Sequence, residues 1–315
     1  MNKHTDSCRT LCRALLLALV FGPGIAGATP ILGSTLETFA VLAASAVTNV
    51  PTSTVVGSVG VCPGSAITGF NSSPGVAVSD PQVTSGTVQA TTAVACQGQN
   101  ELTIARLDLS LLGPGTLLSS DLVGLTIFPG VYTVPAGTTN LSGTVTLDGQ
   151  GNANAAWVFQ FPSTLITSPN SVVNVINTGA GAGLFWNVGS SATLDTTTSF
   201  QGNILALTAI TLNTFATIGC GRALADNAAV TMDMNVIGFG CNGSTGGQGT
   251  NGFNGGLTVP TGAVPEVPTV LPYAPVGGVA VSEPGTAVLL LIGTLGMVGV
   301  RKYRKRSEVP QAALS

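Results

Sequence analysis

The stretch from Leu207 to Gly219, LTAITLNTFATIG, decides the fold because it alternates between apolar and polar residues in two places. Thr211 and Thr217 each lie between two apolar residues, and the stretch contains no charged side chain. Successive side chains of a β-strand point to opposite sides, so the threonines are expected to face outward and their neighbours inward. The stretch therefore predicts short strands separated by a turn.

The same pattern recurs on both sides of this stretch. When SSATLDTTTSFQGNILA, LTAITLNTFATIGCGRALA and NAAVTMDMNVIG are aligned, Thr193, Thr211 and Thr231 fall in register at spacings of 18 and 20 residues. Weaker matches place Thr146 and Thr167 in the same column. Such units cannot bury their apolar side alone, whereas stacked units share a core. We therefore predict an all-β protein built as a three-sided β-solenoid.

One segment departs from the repeat. In QNELTIARLDLSLLGPG, the residues Leu102, Ala105, Leu109 and Leu112 follow spacings of 3, 4 and 3, which is typical of one helix face. Asn100 can cap the start of this helix, and the following Gly-Pro-Gly ends it. We predict a helix packed along the solenoid, although the same residues also alternate as a strand would.

The two ends of the chain have the composition of processing segments. Basic residues and the apolar run ALLLALVFGPGIAGA precede a small-x-small site, which predicts a signal peptide over 1–28. A Gly/Pro-rich linker is predicted over 242–281, where we expect a flexible stalk. The apolar segment 286–300 is followed by the basic RKYRKR, so the domain at 29–241 is expected to be exported.

Basic residues are nearly absent from the body of the chain. Between residues 29 and 282, Arg106 and Arg222 are the only ones, against ten acidic residues, so the formal net charge of this part is −8. A protein that follows a nucleic-acid backbone needs many basic contacts. This composition excludes nucleic acid as a partner.

Four cysteines remain once the predicted leader is removed: Cys62, Cys96, Cys220 and Cys241. An even number in an exported protein permits complete disulfide pairing. Cys220 and Cys241 lie 21 residues apart, about one repeat, which would place them on neighbouring coils. We predict Cys62–Cys96 and Cys220–Cys241, with the second bridge protecting the open end at the last coil. Four buried free thiols are the alternative.

Residues suited to catalysis or metal binding are few. The single histidine, His4, lies in the predicted leader, so nucleophilic triads are missing and zinc sites lose their commonest nitrogen ligand. Asp226 and Asp233 lie seven residues apart, with Asp195 one or two coils earlier, which leaves an acid-pair hydrolase as a third hypothesis. No calcium-binding repeat occurs. We predict no enzymatic activity, no cofactor and no metal.

Five ordered motifs resemble those of the single-domain ice-binding protein family of cold-adapted bacteria, fungi and algae. They are LGSTLETFAVLAASAVTN, FPGVYTV, LDGQGNANAAWVFQF, GLFWNVGSSATL and FQGNILALTAITLNTFATIGCGRALA, and they cover about Ile31 to Gly238. The resemblance implies a discontinuous three-sided β-solenoid with a long helix alongside and a flat face that binds ice. Asp195, where the family often has glycine, and Cys220, in a loop usually free of cysteine, depart from its pattern.

The C-terminal sequence VSEPGTAVLLLIGTLGMVGVRKYRKR resembles the PEP-CTERM sorting signal, which an exosortase cleaves in Gram-negative bacteria that make exopolysaccharide. Its tripeptide is Ser282-Glu283-Pro284, with serine in place of the first proline. The resemblance implies a sorting signal over 282–306, transient anchoring in a membrane, an exosortase partner and a place at the cell surface or in an exopolysaccharide matrix. A plain membrane anchor is the alternative, although the apolar segment is shorter than the roughly 17–25 residues of a membrane span.

The candidate binding surface is a set of outward hydroxyls. Strands of neighbouring coils lie about 4.7–4.9 Å apart, so a residue repeated once per coil forms a straight row. Threonine offers a hydroxyl and a methyl group on a stiff side chain, and an uncharged row of threonines can order water at a spacing close to that of ice. The candidate residues are Thr164, Thr167, Ser190, Thr193, Thr208, Thr211 and Thr231.

Two functions agree with these patterns. The first is an exported protein that adsorbs to ice through a flat threonine-rich face and inhibits ice growth or recrystallisation. The second is a structural or adhesive solenoid of the cell surface or exopolysaccharide matrix, without affinity for ice. In the second case threonine serves only as a good strand former on a wet face.

Overall fold

A computed structural model describes residues 29–239, 241, 250–259 and 267–276. The predicted signal peptide and the predicted sorting signal, with its Ser282-Glu283-Pro284 tripeptide and its apolar segment, lie outside these residues. Within the described part of the chain, no helix is both long and apolar enough to cross a membrane.

The protein is mostly β, and its described residues contain one α-helix, α1 (Ala93–Leu111), and one 3-10 helix (Leu36–Thr38). The strands, in chain order, are β1 (Thr29–Pro30), β2 (Phe39–Ala43), β3 (Ala46–Val50), β4 (Thr54–Val56), β5 (Ser58–Val61), β6 (Ala66–Thr68), β7 (Ala77–Val78), β8 (Val83–Thr84), β9 (Val88–Ala90), β10 (Thr116–Leu117), β11 (Thr126–Ile127), β12 (Gly130–Thr133), β13 (Thr144–Asn152), β14 (Ala156–Phe161), β15 (Leu165–Ile166), β16 (Val172–Thr178), β17 (Gly183–Val188), β18 (Ala192–Leu194), β19 (Ser199–Ala206), β20 (Ile210–Leu212), β21 (Thr217–Ala225), β22 (Val230–Asp233), β23 (Val236–Gly238), β24 (Leu257–Val259) and β25 (Thr269–Val270).

Most strands pair in parallel with a strand one turn of the chain away, which gives three ranks. A six-stranded sheet has the order β15-β18-β20-β22-β3-β6. The helix-side rank runs β10-β12-β14-β17-β19-β21-β2-β5-β9 and carries α1. The second rank contains β11, β13, β16, the first residues of β19 and β21, β23, β4 and β8. The turns from Ala156 to Gly238, and the N-terminal turn at 39–56 that stacks on them, contribute strand residues to all three ranks.

The core lies between the ranks and is filled from their inward faces. Trp157, Phe159, Trp186 and Phe200 are almost completely buried, and the rings of Phe159 and Trp186 stack with centroids 4.3 Å apart. The alternation predicted around Thr211 is confirmed, since the residues on both sides of it are buried. Burial of large apolar side chains is the main stabilising contribution, at about 1.5–3 kcal/mol for each.

The order of the coils in space differs from their order in the sequence. β2 pairs with β21, β3 with β22 and β4 with β23, so the N-terminal coil at 39–56 stacks on the coil at 217–238. The prediction that the Cys220–Cys241 bridge protects an open end is therefore wrong. Those strand edges are already paired, because the N-terminal strands satisfy their backbone hydrogen bonds.

The helix α1 is longer than the sequence pattern predicted. Its N-cap is Thr92, whose hydroxyl accepts a hydrogen bond from the backbone N–H of Ala95 at 3.0 Å, so Asn100 lies inside the helix and not at its start. The predicted inward residues Leu102, Ala105 and Leu109 are fully buried. The helix ends before Gly-Pro-Gly, as predicted.

Both predicted disulfides are present. Cys62, just after β5, is bonded to Cys96 in α1, which ties the helix to the N-terminal coils. Cys220, in β21, is bonded to Cys241, and the Cα atoms of each pair are 5.0 Å apart. These pairings place the four cysteines in structural bridges.

Residues 250–259 and 267–276, which we call the C-terminal strap, differ from the flexible stalk that their composition predicts. Within the strap, β24 pairs with both β1 and β25. Phe253 is fully buried, and its carbonyl accepts a hydrogen bond from the N–H of Leu184 at 3.0 Å. A few apolar side chains thus dock a segment whose glycine and proline content alone indicates a linker.

Candidate functional site

The six-stranded sheet, which we call the threonine sheet, carries an outward threonine on five consecutive strands. The predicted partners Thr193, Thr211 and Thr231 are in register, as the repeat required. Two further threonines continue this row on β3 and β6, with Thr231 opposite Thr48 and Thr48 opposite Thr68. Because the strands are parallel and adjacent, the five threonines form one line across the sheet at about the 4.7–4.9 Å strand spacing. We call these five residues the threonine row.

The side chains of the threonine row are accessible. Thr231, Thr48 and Thr68 are exposed, and Thr193 and Thr211 are half-buried. No hydroxyl of the row forms a hydrogen bond with any of the described residues. Five hydroxyls and five methyl groups on stiff, β-branched side chains therefore lie on the surface of the described domain without a partner within it.

A second outward row beside the threonines consists of small residues, four alanines and one serine. Its members lie two residues before each threonine and keep the same register: Ser191, Ala209, Ala229, Ala46 and Ala66. The candidates Ser190 and Thr208 lie three residues before Thr193 and Thr211, at the turn into each strand. An odd offset changes sides on a strand, so they do not belong to this outward row. The Thr208 hydroxyl is instead 2.6 Å from that of Ser191. None of the side chains in this second row is larger than the threonines beside it.

The upstream end of the site differs from the prediction. Thr167 is wrong as an outward candidate: it is 2% exposed, and its hydroxyl lies 2.9 Å from that of Thr198. Ile166 takes the outward place opposite Thr193. Thr146 belongs to the second rank, where it pairs with Thr126 and Asn174, and not to the threonine sheet.

Thr164 directly precedes β15 and is half-buried. The pairing of Leu165 with Ala192 places Thr164 beside Ser191, at the end of the small-residue row. Thr164 is therefore on the outward side of the sheet, although it is outside the threonine row itself.

Carboxylates lie along one edge of the threonine sheet and are bound by the protein. Asp195 accepts hydrogen bonds from Asn213 Nδ2 at 3.0 Å and from the backbone N–H of Thr196 at 2.7 Å. Asp233 accepts one from the hydroxyl of Thr214. Asp195, the departure from the family pattern, is thus held at the turn that follows the threonine row.

The hydrogen bond from Asn213, aided by that from Thr196, lowers the pKa of Asp195 below its usual 3.8. A carboxyl with a lowered pKa contributes stability above its unfolded-state pKa, and that contribution is lost as pH falls through the folded-state pKa. We expect Asp195→Asn to be slightly less stable than the wild type at neutral pH, and the difference to vanish in acid. Urea unfolding across a pH series measures this, and a difference that is constant with pH would contradict it.

Asp226, one of the three acids considered for catalysis, is bound by residues of the helix. The Asp226 carboxylate lies 2.9 Å from Arg106 Nη1 and accepts a hydrogen bond from Thr103 at 2.7 Å, both on α1. Asp233 is the last residue of β22. In the described ranges, no three His, Cys, Asp or Glu side chains are grouped so that they could hold a metal ion. We assign Asp226 a structural role in fixing the helix.

Sequence comparison of adjacent segments missed Thr48 and Thr68. Both follow the same local pattern as the central strands, since Ala46-Val47-Thr48 and Ala66-Ile67-Thr68 match Ala209-Ile210-Thr211 and Ala229-Val230-Thr231. This tripeptide is the signal that could have found them. It was too short to stand out more than 140 residues away in the chain.

Because Thr48 belongs to the same row, we expect Thr48→Tyr to weaken the ice binding expected of this sheet, although the residue is far from the repeat in sequence. The matched control is Thr54→Tyr, an exposed threonine on β4 in the second rank. The ice binding of the two variants is compared after circular dichroism confirms the fold. Equal activity of Thr48→Tyr and the wild type would remove the N-terminal coils from the site.

Comparison with known proteins also indicates a relation to ice-binding proteins. A family model described as ice-binding-like matches residues 41–238. An ice-binding protein from Nostoc sp. (strain HG1) is 42% identical over 233 residues, which cover 72% of this chain and 82% of the relative.

Solved structures of similar proteins have the same fold. The crystal structure of an ice-binding protein from the Antarctic ascomycete Antarctomyces psychrotrophicus superposes with a TM-score of 0.59 at 30% identity, covering 67% of this chain and 98% of that one. The crystal structure of an ice-binding protein from an Antarctic biological consortium gives a TM-score of 0.57 at 36% identity, covering 66% of this chain and 90% of that one.

Proposed function

The chain belongs to the ice-binding-like family, and on this premise we propose that it adsorbs to ice through the threonine sheet and inhibits ice growth or recrystallisation. One observation carries the choice of surface: five threonines lie in register on adjacent strands, and none of their hydroxyls has a hydrogen-bond partner among the described residues. The site residues proposed are Thr193, Thr211, Thr231, Thr48 and Thr68, with Thr164 and the small-residue row beside them.

The physical basis is an ordered layer of water that the sheet and the ice can share. Hydroxyls hold water molecules at fixed points, while methyl groups force the water between them into a cage. Immobilising each water costs up to about 2 kcal/mol, and a preformed regular row spreads this cost over many contacts. Charged side chains would bind water in other geometries, and the threonine row contains none.

We infer that the three ranks are the sides of a triangular β-solenoid. In support of this, successive turns from Ala156 to Gly238 contribute to each rank, and the inward side chains of all three ranks belong to one apolar cluster. Such a frame would keep the threonine sheet flat, because its inward residues pack on a rigid core. A crystal structure with a cross-section of another shape would contradict this inference.

The test is a measurement of thermal hysteresis and ice recrystallisation inhibition with the purified mature chain. We expect ice crystals to be shaped and their growth to stop within a temperature gap. A folded protein that leaves ice growth unchanged at high concentration would contradict the proposal. It would favour a structural or adhesive protein of the exopolysaccharide matrix.

We also propose that the protein is exported from a Gram-negative cell and sorted to its surface. The leader-like sequence at 1–28 and the sorting-like sequence at 282–306 support this, with an exosortase as the processing partner and exopolysaccharide as a neighbour. Intact-mass analysis of the exported protein should show an N-terminus at Thr29. Retention of residues 1–28 in the exported protein would contradict the predicted cleavage.

A further inference from the structure

A groove, which we call the helix groove, follows one side of α1. Its opposite wall is formed by the turns after β2, β14, β17 and β21, which lead towards the threonine sheet. The helix wall is polar, because four residues recur at spacings of 4, 3 and 4 and so share one side: Gln99, Thr103, Arg106 and Ser110. At 1.5 Å per residue this polar stripe is roughly 16 Å long, so the groove extends across several coils.

Two cavities lie along the helix groove, one lined by Arg106 and the other by its ion-pair partner Asp226. The first has a volume of about 390 Å³ and lies at the C-terminal half of α1. The second has a volume of about 530 Å³ and lies at the N-terminal half. Polar residues of the opposite wall line both cavities: Thr133, Gln160 and Asn187 in the first, and Ser45 and Asn227 in the second.

Three buried atoms of residues that line these cavities have no hydrogen-bond partner among the described residues: Gln99 Oε1, Arg106 Nε and Asn187 Oδ1. Gln99 and Asn187 are only 7% and 5% exposed. The other nitrogens of these side chains are held in place, by Asp226 for Gln99 and Arg106 and by Gln160 for Asn187. Unpaired buried polar atoms are costly, so a ligand that pairs with them gains affinity.

The three atoms define the chemistry of such a ligand, because two of them accept hydrogen bonds and one donates. A carboxylate or phosphate oxygen has no hydrogen to donate, and an ammonium group accepts none, so neither pairs with all three. The charged residues that line the groove, Arg106 and Asp226, neutralise each other. A hydroxyl both donates and accepts, and a saccharide chain presents hydroxyls at regular intervals.

A peptide backbone also donates and accepts, yet extended peptides are commonly bound by adding a strand to an open sheet edge. The strands beside the helix groove, β2, β14, β17 and β21, are each paired with a strand on both sides. The groove therefore offers side chains and no strand edge, which favours a saccharide over a peptide.

We propose that the helix groove binds a neutral saccharide chain whose hydroxyls pair with Gln99 Oε1, Arg106 Nε and Asn187 Oδ1. None of these residues belongs to the threonine row, so the inference does not rest on ice binding. It assigns the domain a second binding site, through which it would hold a neutral polysaccharide of its surroundings.

The first experiment follows the Nε–H signal of Arg106 by NMR while neutral linear oligosaccharides are added to the full chain. The probes are cellohexaose, mannohexaose and xylohexaose, and Arg106→Lys identifies the signal. We expect at least one probe to shift it in a saturable way. The Nε–H of Arg222 is an internal control that should not move, because it already donates to the carbonyl of Glu37 at 3.3 Å.

The second experiment measures the affinity of that probe by calorimetry after one cavity is filled. Asn227→Trp places a large ring at an exposed residue that lines the second cavity, and we expect binding about tenfold weaker or less. The matched control is Gln97→Trp, an exposed amide on α1 that lies about 200° around the helix from Gln99 and should bind as the wild type does. Thermal unfolding checks the fold of both variants.

The outcomes are separate from those for ice binding, which is measured without saccharide. An Arg106 signal that none of the three probes shifts would overturn the inference, because water would then satisfy these atoms. Equal affinity of Asn227→Trp and Gln97→Trp would overturn the location in the helix groove. Hexaglycine and hexagalacturonate are added in parallel, and a larger shift with either would overturn the assignment to a neutral saccharide.

Discussion

Thr211→Tyr is expected to abolish ice binding while leaving the fold intact. Thr211 lies in the row between Thr193 and Thr231, on the neighbouring strands. A tyrosine side chain is much longer than threonine, so its ring would project beyond the row and hold the adjacent threonines away from a flat crystal. A loss of only about 1.4 kcal/mol in adsorption corresponds to a tenfold loss of affinity, and we expect at least that.

The measurement is thermal hysteresis and the lowest concentration that prevents recrystallisation, with thermal unfolding as the check on the fold. Thr217→Tyr is the matched control, because Thr217 lies six residues later, is also half-buried and outward, and belongs to the second rank. We expect Thr217→Tyr to retain wild-type activity. Equal losses in both variants, or full activity of Thr211→Tyr, would move the binding surface away from the threonine sheet.

The centre of the site was predictable because its repeat is local. Thr193, Thr211 and Thr231 lie within about two turns of the chain, and alternation alone assigns their side of the strand. Thr48 and Thr68 were not predictable in the same way, because the N-terminal coils stack on the last coil of the repeat. Spacing in sequence gives register only where successive coils are also neighbours in space.

The errors at other positions have equally specific causes. Thr167 was misplaced by one residue, and a shift of one residue on a strand exchanges the outward and inward sides. The apolar spacing indicates a helix that starts after Asn100, yet α1 starts seven residues earlier, where its first turns pack around Cys96 and the disulfide. Composition predicts a linker over the strap, because it does not show that Phe253 has a buried position to occupy.

Arg222→Met is expected to cause the largest loss of stability in the described part of the chain. Arg222 is fully buried on β21, and its guanidinium donates to the carbonyl of Glu37 and to Asn203 Oδ1, both at 2.8 Å. It also donates to Gly252 in the strap, and it lies 4.5 Å from the ring centre of Phe239. This one side chain joins the N-terminal segment, the coil repeat and the strap.

Burial lowers the pKa of Arg222 to about 9, against the opposing effect of the Glu37 charge, so the guanidinium remains charged at neutral pH. Replacing it with methionine fills similar space but leaves several buried acceptors unpaired. At about 1–3 kcal/mol for each acceptor, we expect a loss of roughly 3–5 kcal/mol in the free energy of unfolding. For a domain of this size, that lowers the melting temperature by about 6–20 °C.

Arg222→Lys tests whether the hydrogen-bond geometry of Arg222, or its positive charge alone, stabilises the contact between the three segments. Lysine keeps the positive charge, but one ammonium group cannot reach acceptors on Glu37, Asn203 and the strap together, so we expect an intermediate melting temperature. Ice binding measured near 0 °C, where both variants remain folded, should match the wild type, because Arg222 lies outside the threonine sheet. A melting temperature of Arg222→Met equal to that of the wild type would show that the three segments are held together without this residue.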